Sequence, residues 1–242
     1  MGLVGRRTRS AGRVLATGMA GVGLVALAAL AVAVFGDRPA PGAGAAAAAE
    51  PRLVVLEAFM LRGCPNCAQA ARVVEQLALE HEVAGRPVLM LEHDIAAPVG
   101  NRVDRWYDAA AGRSCSVPWA IVDSGFRSYC GDGGFAESYR AMLDEALGNP
   151  PLASVAATYQ RTPDGGVAVT AAVRNPGSVP LGDDNLATVN ALVVERVRVN
   201  HTGRFVRGAG QMDIVVDVPP GHVEAYTIVI PTVPVEDWSQ IG

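Results

Sequence analysis

The chain has 242 residues, half of them hydrophobic, so it is long enough to bury one large core or two smaller ones. Its formal net charge is −4, and all 20 basic residues are arginine. This balance excludes a basic nucleic-acid-binding protein, and we expect no nucleic-acid partner.

The amino terminus has the pattern of a targeting segment. A basic region, residues 1–13, precedes an apolar segment, residues 14–36. Within this segment, the run from Val14 to Phe35 has 22 residues and no charge. A signal-peptide core is shorter, whereas roughly 20 apolar residues span a bilayer, so the length favours a retained transmembrane anchor. Cleavage near the alanines of residues 43–49 is the alternative.

Either route places the rest of the chain outside the cytoplasm, because the arginines stay inside. Residues 37–51 are rich in alanine, proline and glycine, which is typical of a flexible linker. We therefore expect a single-pass protein of the cell membrane with extracytoplasmic domains, or a secreted or periplasmic protein if the segment is cleaved. Its cysteines then face an oxidising compartment.

A cysteine pair follows the first predicted strand. The apolar run from Leu53 to Phe59 leads to Cys64-Pro65-Asn66-Cys67, where a helical pattern begins. Pro65 suits the first helical position, which makes Cys64 the N-cap. Since a helix N-terminus stabilises a thiolate, the pair indicates redox chemistry. Cys64 would attack a partner's disulfide, and Cys67 would resolve the mixed disulfide.

Half a zinc site is the alternative interpretation of the pair. It needs two further ligands at matching spacing, and neither the other two cysteines nor the four histidines provide them. We therefore expect no metal and no other cofactor.

The pattern after the cysteines alternates helices and strands. A helix is predicted from Pro65 to about His81, and Pro118 marks the start of a strand because proline is tolerated there. The other predicted elements are a strand at 88–91, a helix at 102–111, a strand at 127–130 and a helix at 135–147.

This order, with Cys64 and Cys67 before the first helix and Val117-Pro118 before a strand, resembles the thioredoxin superfamily over residues 52–148. Glu57-x-Phe59 before the cysteines resembles secreted or membrane-tethered bacterial thioredoxin-like proteins more closely than cytosolic thioredoxin. The resemblance implies an α/β thioredoxin-like domain that acts on protein thiols and disulfides. It also implies that Val117–Pro118 is a cis bond, lies against the cysteine pair and binds the substrate chain.

The chain departs from thioredoxin in having Ala58 where that protein has a buried aspartate. Glu57, the only charge in the first strand, is the candidate proton acceptor for Cys67. The alternative is that Glu57 faces outward at a sheet edge.

Cys115 and Cys130 flank the predicted hairpin. If its turn centres on Ser124-Gly125, Cys130 pairs near Trp119. In an oxidising compartment two free thiols rarely persist, so we expect a structural disulfide between them. A second redox relay is the alternative, because Cys115 is also close in sequence to Pro118.

The pattern of helices and strands ends at Asn149-Pro150-Pro151. Residues 152–236 have the pattern of short strands separated by turns. The strands are predicted at 154–159, 166–173, 187–196, 204–206, 212–218 and 223–230. Their spacing predicts an all-β immunoglobulin-like sandwich.

The sequence thus predicts an extracytoplasmic thiol-disulfide oxidoreductase. The alternative function is a non-catalytic binding or scaffold protein of the cell envelope, in which the Cys64–Cys67 bond is structural.

Overall fold

The computed structural model describes residues 52–96, 102, 116–182, 184 and 187–241. The predicted basic region, apolar segment and linker lie outside these residues, as does the helix predicted at 102–111 apart from Arg102, which is helical. Within the described ranges, no helix is both long and apolar enough to cross a bilayer. The membrane anchor and the export of the chain therefore stay predictions.

The first half of the fold is a small sheet with helices. Its elements are β1 (Val54–Met60), α1 (Pro65–Val83), β2 (Val88–Asp94), β3 (Trp119–Val122), β4 (Arg127–Cys130) and α2 (Phe135–Leu147). β1 is parallel to β2 and antiparallel to β3, and β4 is antiparallel to β3. The order β4-β3-β1-β2 places the strand before the cysteine pair in the interior of the sheet. This is the thioredoxin-like arrangement that the sequence predicts.

One face of β1 packs against both helices. Leu56, Ala58 and Met60 point to this side, since alternate residues of a strand share a face. They meet apolar residues of α1 and α2, including Val74, Leu77, Tyr139 and Leu143. Each large side chain buried here stabilises the fold by about 2 kcal/mol. The packing fixes the start of α1 over the end of β1.

The second half contributes five strands among the described residues. They are β5 (Ser154–Arg161), β6 (Val167–Arg174), β7 (Thr188–Glu195), β8 (Phe205–Asp213) and β9 (Val223–Ile230). β5, β6 and β9 form a three-stranded antiparallel sheet. β7 and β8 instead extend the first sheet, whose full order is β4-β3-β1-β2-β8-β7.

The immunoglobulin-like sandwich is therefore not confirmed. At the junction, the backbone N–H of Glu92 in β2 donates to the carbonyl of Arg204 at 2.9 Å, and Glu92 pairs with Phe205 in parallel register. An apolar cluster that includes Val189, Ala191, Ile228 and Ile230 joins β7 to the three-stranded sheet. The break near residue 150 separates two stretches of sequence, but the six-stranded sheet contains strands from both.

The strands predicted at 204–206 and 212–218 are wrong, because a single strand, β8, covers residues 205–213. Gly208 and Gly210 lie inside it, and glycine weakens a strand pattern. A Cβ on Gly210 would lie 2.6 Å from Cγ2 of Ile228 and 3.1 Å from Cγ1 of Ile230. The glycines are there because β9 packs closely on β8.

Candidate active site

Cys64 and Cys67 form a disulfide at the N-terminus of α1. Cys64 is the N-cap residue in an extended conformation, and Pro65 occupies the first turn. The backbone N–H of Cys67 donates to Sγ of Cys64 at 3.1 Å. In the reduced protein this N–H and the helix dipole favour the thiolate form of Cys64.

The two cysteines differ in their access to solvent. Cys64 is partly exposed, whereas Cys67 is fully buried in the apolar cluster between β1 and α1. Ala70 and Val74, one and two turns further along α1, belong to the same cluster. An incoming sulfur atom can therefore reach Cys64, while Cys67 is shielded.

The bond between Val117 and Pro118 is cis and lies beside the cysteine pair. The carbonyl oxygen of Val117 is 3.9 Å from Sγ of Cys64. The structure thus brings together residues that are 53 positions apart in the sequence. The binding of a substrate chain by Val117 and Pro118 stays a prediction.

Glu57 does not reach the cysteine pair. Its neighbours Leu56 and Ala58 face Cys67, so Glu57 points to the opposite side of the sheet. It is only 1% exposed, because β1 is an interior strand of the sheet, and so it does not face outward at a sheet edge either. We therefore do not assign Glu57 as the proton acceptor for Cys67.

The carboxylate of Glu57 is held by two buried cationic or polar side chains. Nε2 of His93 donates to one oxygen at 2.8 Å, and the guanidinium of Arg102 donates to both oxygens. Burial alone would raise the pKa of Glu57, but the hydrogen bonds from Arg102 and His93 more than offset it and lower the pKa from 4.5 to about 2. Glu57 is therefore ionised at neutral pH.

Arg102 also links Glu57 to both halves of the chain. Its guanidinium donates to Oδ1 of Asn190 in β7 at 3.1 Å and to the hydroxyl of Ser124 at 2.9 Å. The ring of His93 stacks on Phe59, with 4.7 Å between ring centroids. This buried cluster was missed from the sequence, although one signal was present: Glu57 in an apolar strand requires a buried partner.

Cys130 ends β4 opposite Trp119, the register predicted for the hairpin. No described cysteine is free. Cys115 lies outside the described residues, so the pairing of Cys115 with Cys130 stays a prediction.

A loop of the second half lies beside the cysteine pair. Nε2 of His201 donates to the carbonyl of Leu61 at 3.0 Å, and Arg62 donates to the carbonyl of Val199 at 3.5 Å. Leu61 and Arg62 belong to the turn that enters Cys64. Nothing in the sequence indicated this contact, because it joins positions about 140 residues apart.

Two buried or half-buried carboxylates hold that loop in place. Glu92, at 0% exposure, accepts from the backbone N–H groups of His201 and Thr202. Glu75 of α1 accepts from the backbone N–H of Gly203 at 2.6 Å and pairs with Arg204 at 3.1 Å. Since charge-assisted hydrogen bonds are the strong ones, the loop has a defined position next to the site.

No family model matches the chain, and no curated protein matches it. Among solved structures, the chain is similar to HBP35 of Porphyromonas gingivalis, with 14% identity and a TM-score of 0.49, over 74% of this chain. It spans only 64% of the length of that chain. It is also similar to the germline-specific thioredoxin Deadhead from Drosophila melanogaster, with 16% identity and a TM-score of 0.27, over 40% of this chain and 83% of that one. At these values the thioredoxin-like assignment rests on the strand order, the cysteine pair and the cis proline.

Proposed function

We propose that the protein is an extracytoplasmic thiol-disulfide oxidoreductase whose partners are protein thiols and disulfides. The observation that carries the proposal is the partly exposed Cys64, which caps α1 and accepts a hydrogen bond from the Cys67 N–H beside a cis proline. A disulfide that only stabilised the fold would need neither the helix terminus nor an accessible sulfur atom.

The reaction follows from the positions of the two sulfur atoms. The Cys64 thiolate attacks one sulfur of a partner's disulfide, and the other partner sulfur leaves as a thiolate. Cys67, once deprotonated, attacks Sγ of Cys64 and releases the partner as a dithiol, with Cys64 and Cys67 oxidised by two electrons. The same steps in reverse oxidise a partner dithiol, so the direction depends on the reduction potential.

The alternative is a binding or scaffold protein of the cell envelope. One observation favours it: Cys67 lies in an apolar cluster with Ala58, whereas the nearby acid, Glu57, faces the other side of the sheet. A resolving cysteine without a proton acceptor reacts more slowly. We prefer the enzyme because a structural disulfide in a scaffold does not require a solvent-accessible Cys64.

The reduction potential of the pair distinguishes the two functions. Equilibration of the full chain with glutathione buffers should give a potential between about −120 and −270 mV, the range of catalytic pairs. A potential below about −300 mV is typical of structural disulfides and would support the scaffold.

A further inference from the structure

A groove of about 460 Å³ runs along the N-terminal half of α1. One wall is α1 from Ala68, the residue after Cys67, to Glu75, and the other is the loop Arg198–His201. His201 anchors this loop to the turn before Cys64. The groove therefore begins near the N-terminus of α1, one residue after Cys67.

Positive charge predominates along the groove. Arg72 and Arg198 are exposed, and neither forms an ion pair with a residue that the structure describes. The one carboxylate in the wall, Glu75, is already bound by Gly203 and Arg204. A chain with a net charge of −4 thus presents uncommitted positive charge in the groove along α1.

The groove also contains an unsatisfied amide. Asn200 lines it, and neither atom of its side-chain amide has a hydrogen-bond partner among the described residues or contact with solvent. A buried amide without partners is costly, and each one in a native protein requires an explanation. A rotation of the side chain into the groove would bring both atoms within reach of a peptide main chain, which supplies the N–H and the C=O that this amide lacks.

We propose that the groove binds an acidic peptide segment of the partner protein, next to the partner's cysteine. The proposal rests on the oxidoreductase function proposed above and names the class of substrate. Arg72 and Arg198 attract the acidic side chains, and Asn200 pairs with the main chain. The loop of the second half of the chain thereby determines which disulfides react at Cys64.

The test uses the reduced full chain and three synthetic peptides that each carry the same disulfide. The residues next to the cysteine are glutamate in the first peptide, serine in the second and lysine in the third. The second-order rate constant of exchange is measured by acid quenching and mass spectrometry. We expect the glutamate peptide to react about five-fold faster than the serine peptide in dilute buffer, and the lysine peptide more slowly. The preference should disappear at 1 M salt, where charges are screened over about 3 Å.

Three variants test whether the groove causes the preference for the glutamate peptide. Replacing both Arg72→Gln and Arg198→Gln should bring the ratio of the glutamate to the serine rate constant close to one. Arg174→Gln, the same change of charge in the three-stranded sheet, should keep the five-fold ratio. Asn200→Ala should slow all three peptides by a similar factor.

Two results would overturn the inference: a wild-type chain without preference, or a double variant that keeps it. If none of the three peptides exchanges, the oxidoreductase function itself fails, and the inference fails with it.

Discussion

Strand β1 presents two different environments to the two sides of the six-stranded sheet. Leu56, Ala58 and Met60 face the helices and the buried Cys67, in a cluster of apolar side chains. Glu57 faces the other side, where Arg102 and His93 bind its carboxylate. Charge is thus present within one residue of the redox side, but the alternation of the strand directs it away.

A buried acid next to a cysteine motif therefore need not act on the cysteines. At position 58 a carboxylate would face Cys67, whereas at position 57 it joins β1 to Arg102 and, through Arg102, to Asn190 of the second half. The charged side of β1 joins the two halves of the chain, and the apolar side surrounds Cys67.

The largest effect on stability should come from Glu57→Gln. This change leaves Arg102 buried without a counter-charge, and removing one partner of a buried ion pair costs about 3 to 5 kcal/mol. Urea unfolding should show this loss. The control is Glu82→Gln, an exposed residue 3.9 Å from Arg204, which should change the free energy of unfolding by less than about 0.5 kcal/mol.

The same variant tests whether Glu57, on one side of β1, affects the cysteines on the other side. Folded Glu57→Gln protein should exchange disulfides at the wild-type rate, because Glu57 lies across the sheet from Cys67. A rate that falls ten-fold or more in the folded variant would return Glu57 to the catalytic machinery, and a loss of stability below 1 kcal/mol would contradict its structural role.

Acid should weaken the charged side in a defined pH range. The pKa of Glu57 is about 2 in the folded chain against an ordinary 4.5, so its contribution is complete above pH 4.5 and is lost as the pH falls towards 2. The difference between the two pKa values corresponds to about 3 kcal/mol. The stability of the wild type relative to Glu57→Gln, measured from pH 7 to 2.5, should be constant and then shrink below pH 4.5. A difference that does not change with pH would contradict the assignment.

The smallest effect on this scale concerns the apolar side of the hairpin β7–β8. Ala191, next to Asn190 in β7, pairs with Gly210 of β8, against which Ile228 packs. Gly210→Ala should cost about 2 kcal/mol by overpacking, with no dependence on pH. Gly133→Ala meets open space and is the matched control. Equal stability of the two variants would show that β9 does not pack tightly on β8.

The local features of the fold follow from the sequence. The start of α1 could be predicted because Pro65 and the cysteine spacing are signals within four residues, and the register of the hairpin because Trp119 and Cys130 flank a short turn. Alternation along β1 also determines that Glu57 and Ala58 face opposite ways, but not which side carries the helices.

The long-range features could not be predicted. The pairing of β2 with β8 depends on which exposed edge the second half meets, and no local pattern encodes that choice. The position of His201 beside Leu61 follows from the same pairing. The sequence did not predict β8 as a single strand, because Gly208 and Gly210 resemble turn residues. The close packing of β9 requires glycine at both positions.

Trapping of mixed disulfides tests the central claim most directly, namely that Cys64 attacks and Cys67 resolves. In cells that express Cys67→Ser, Cys64 should form covalent complexes with partner proteins that are visible without reductant and disappear with it. Cys64→Ser should form none. Both variants should fold, because a bridge between residues three positions apart removes little chain entropy. Complexes trapped by Cys64→Ser, or by neither variant, would contradict this division of roles and favour the scaffold.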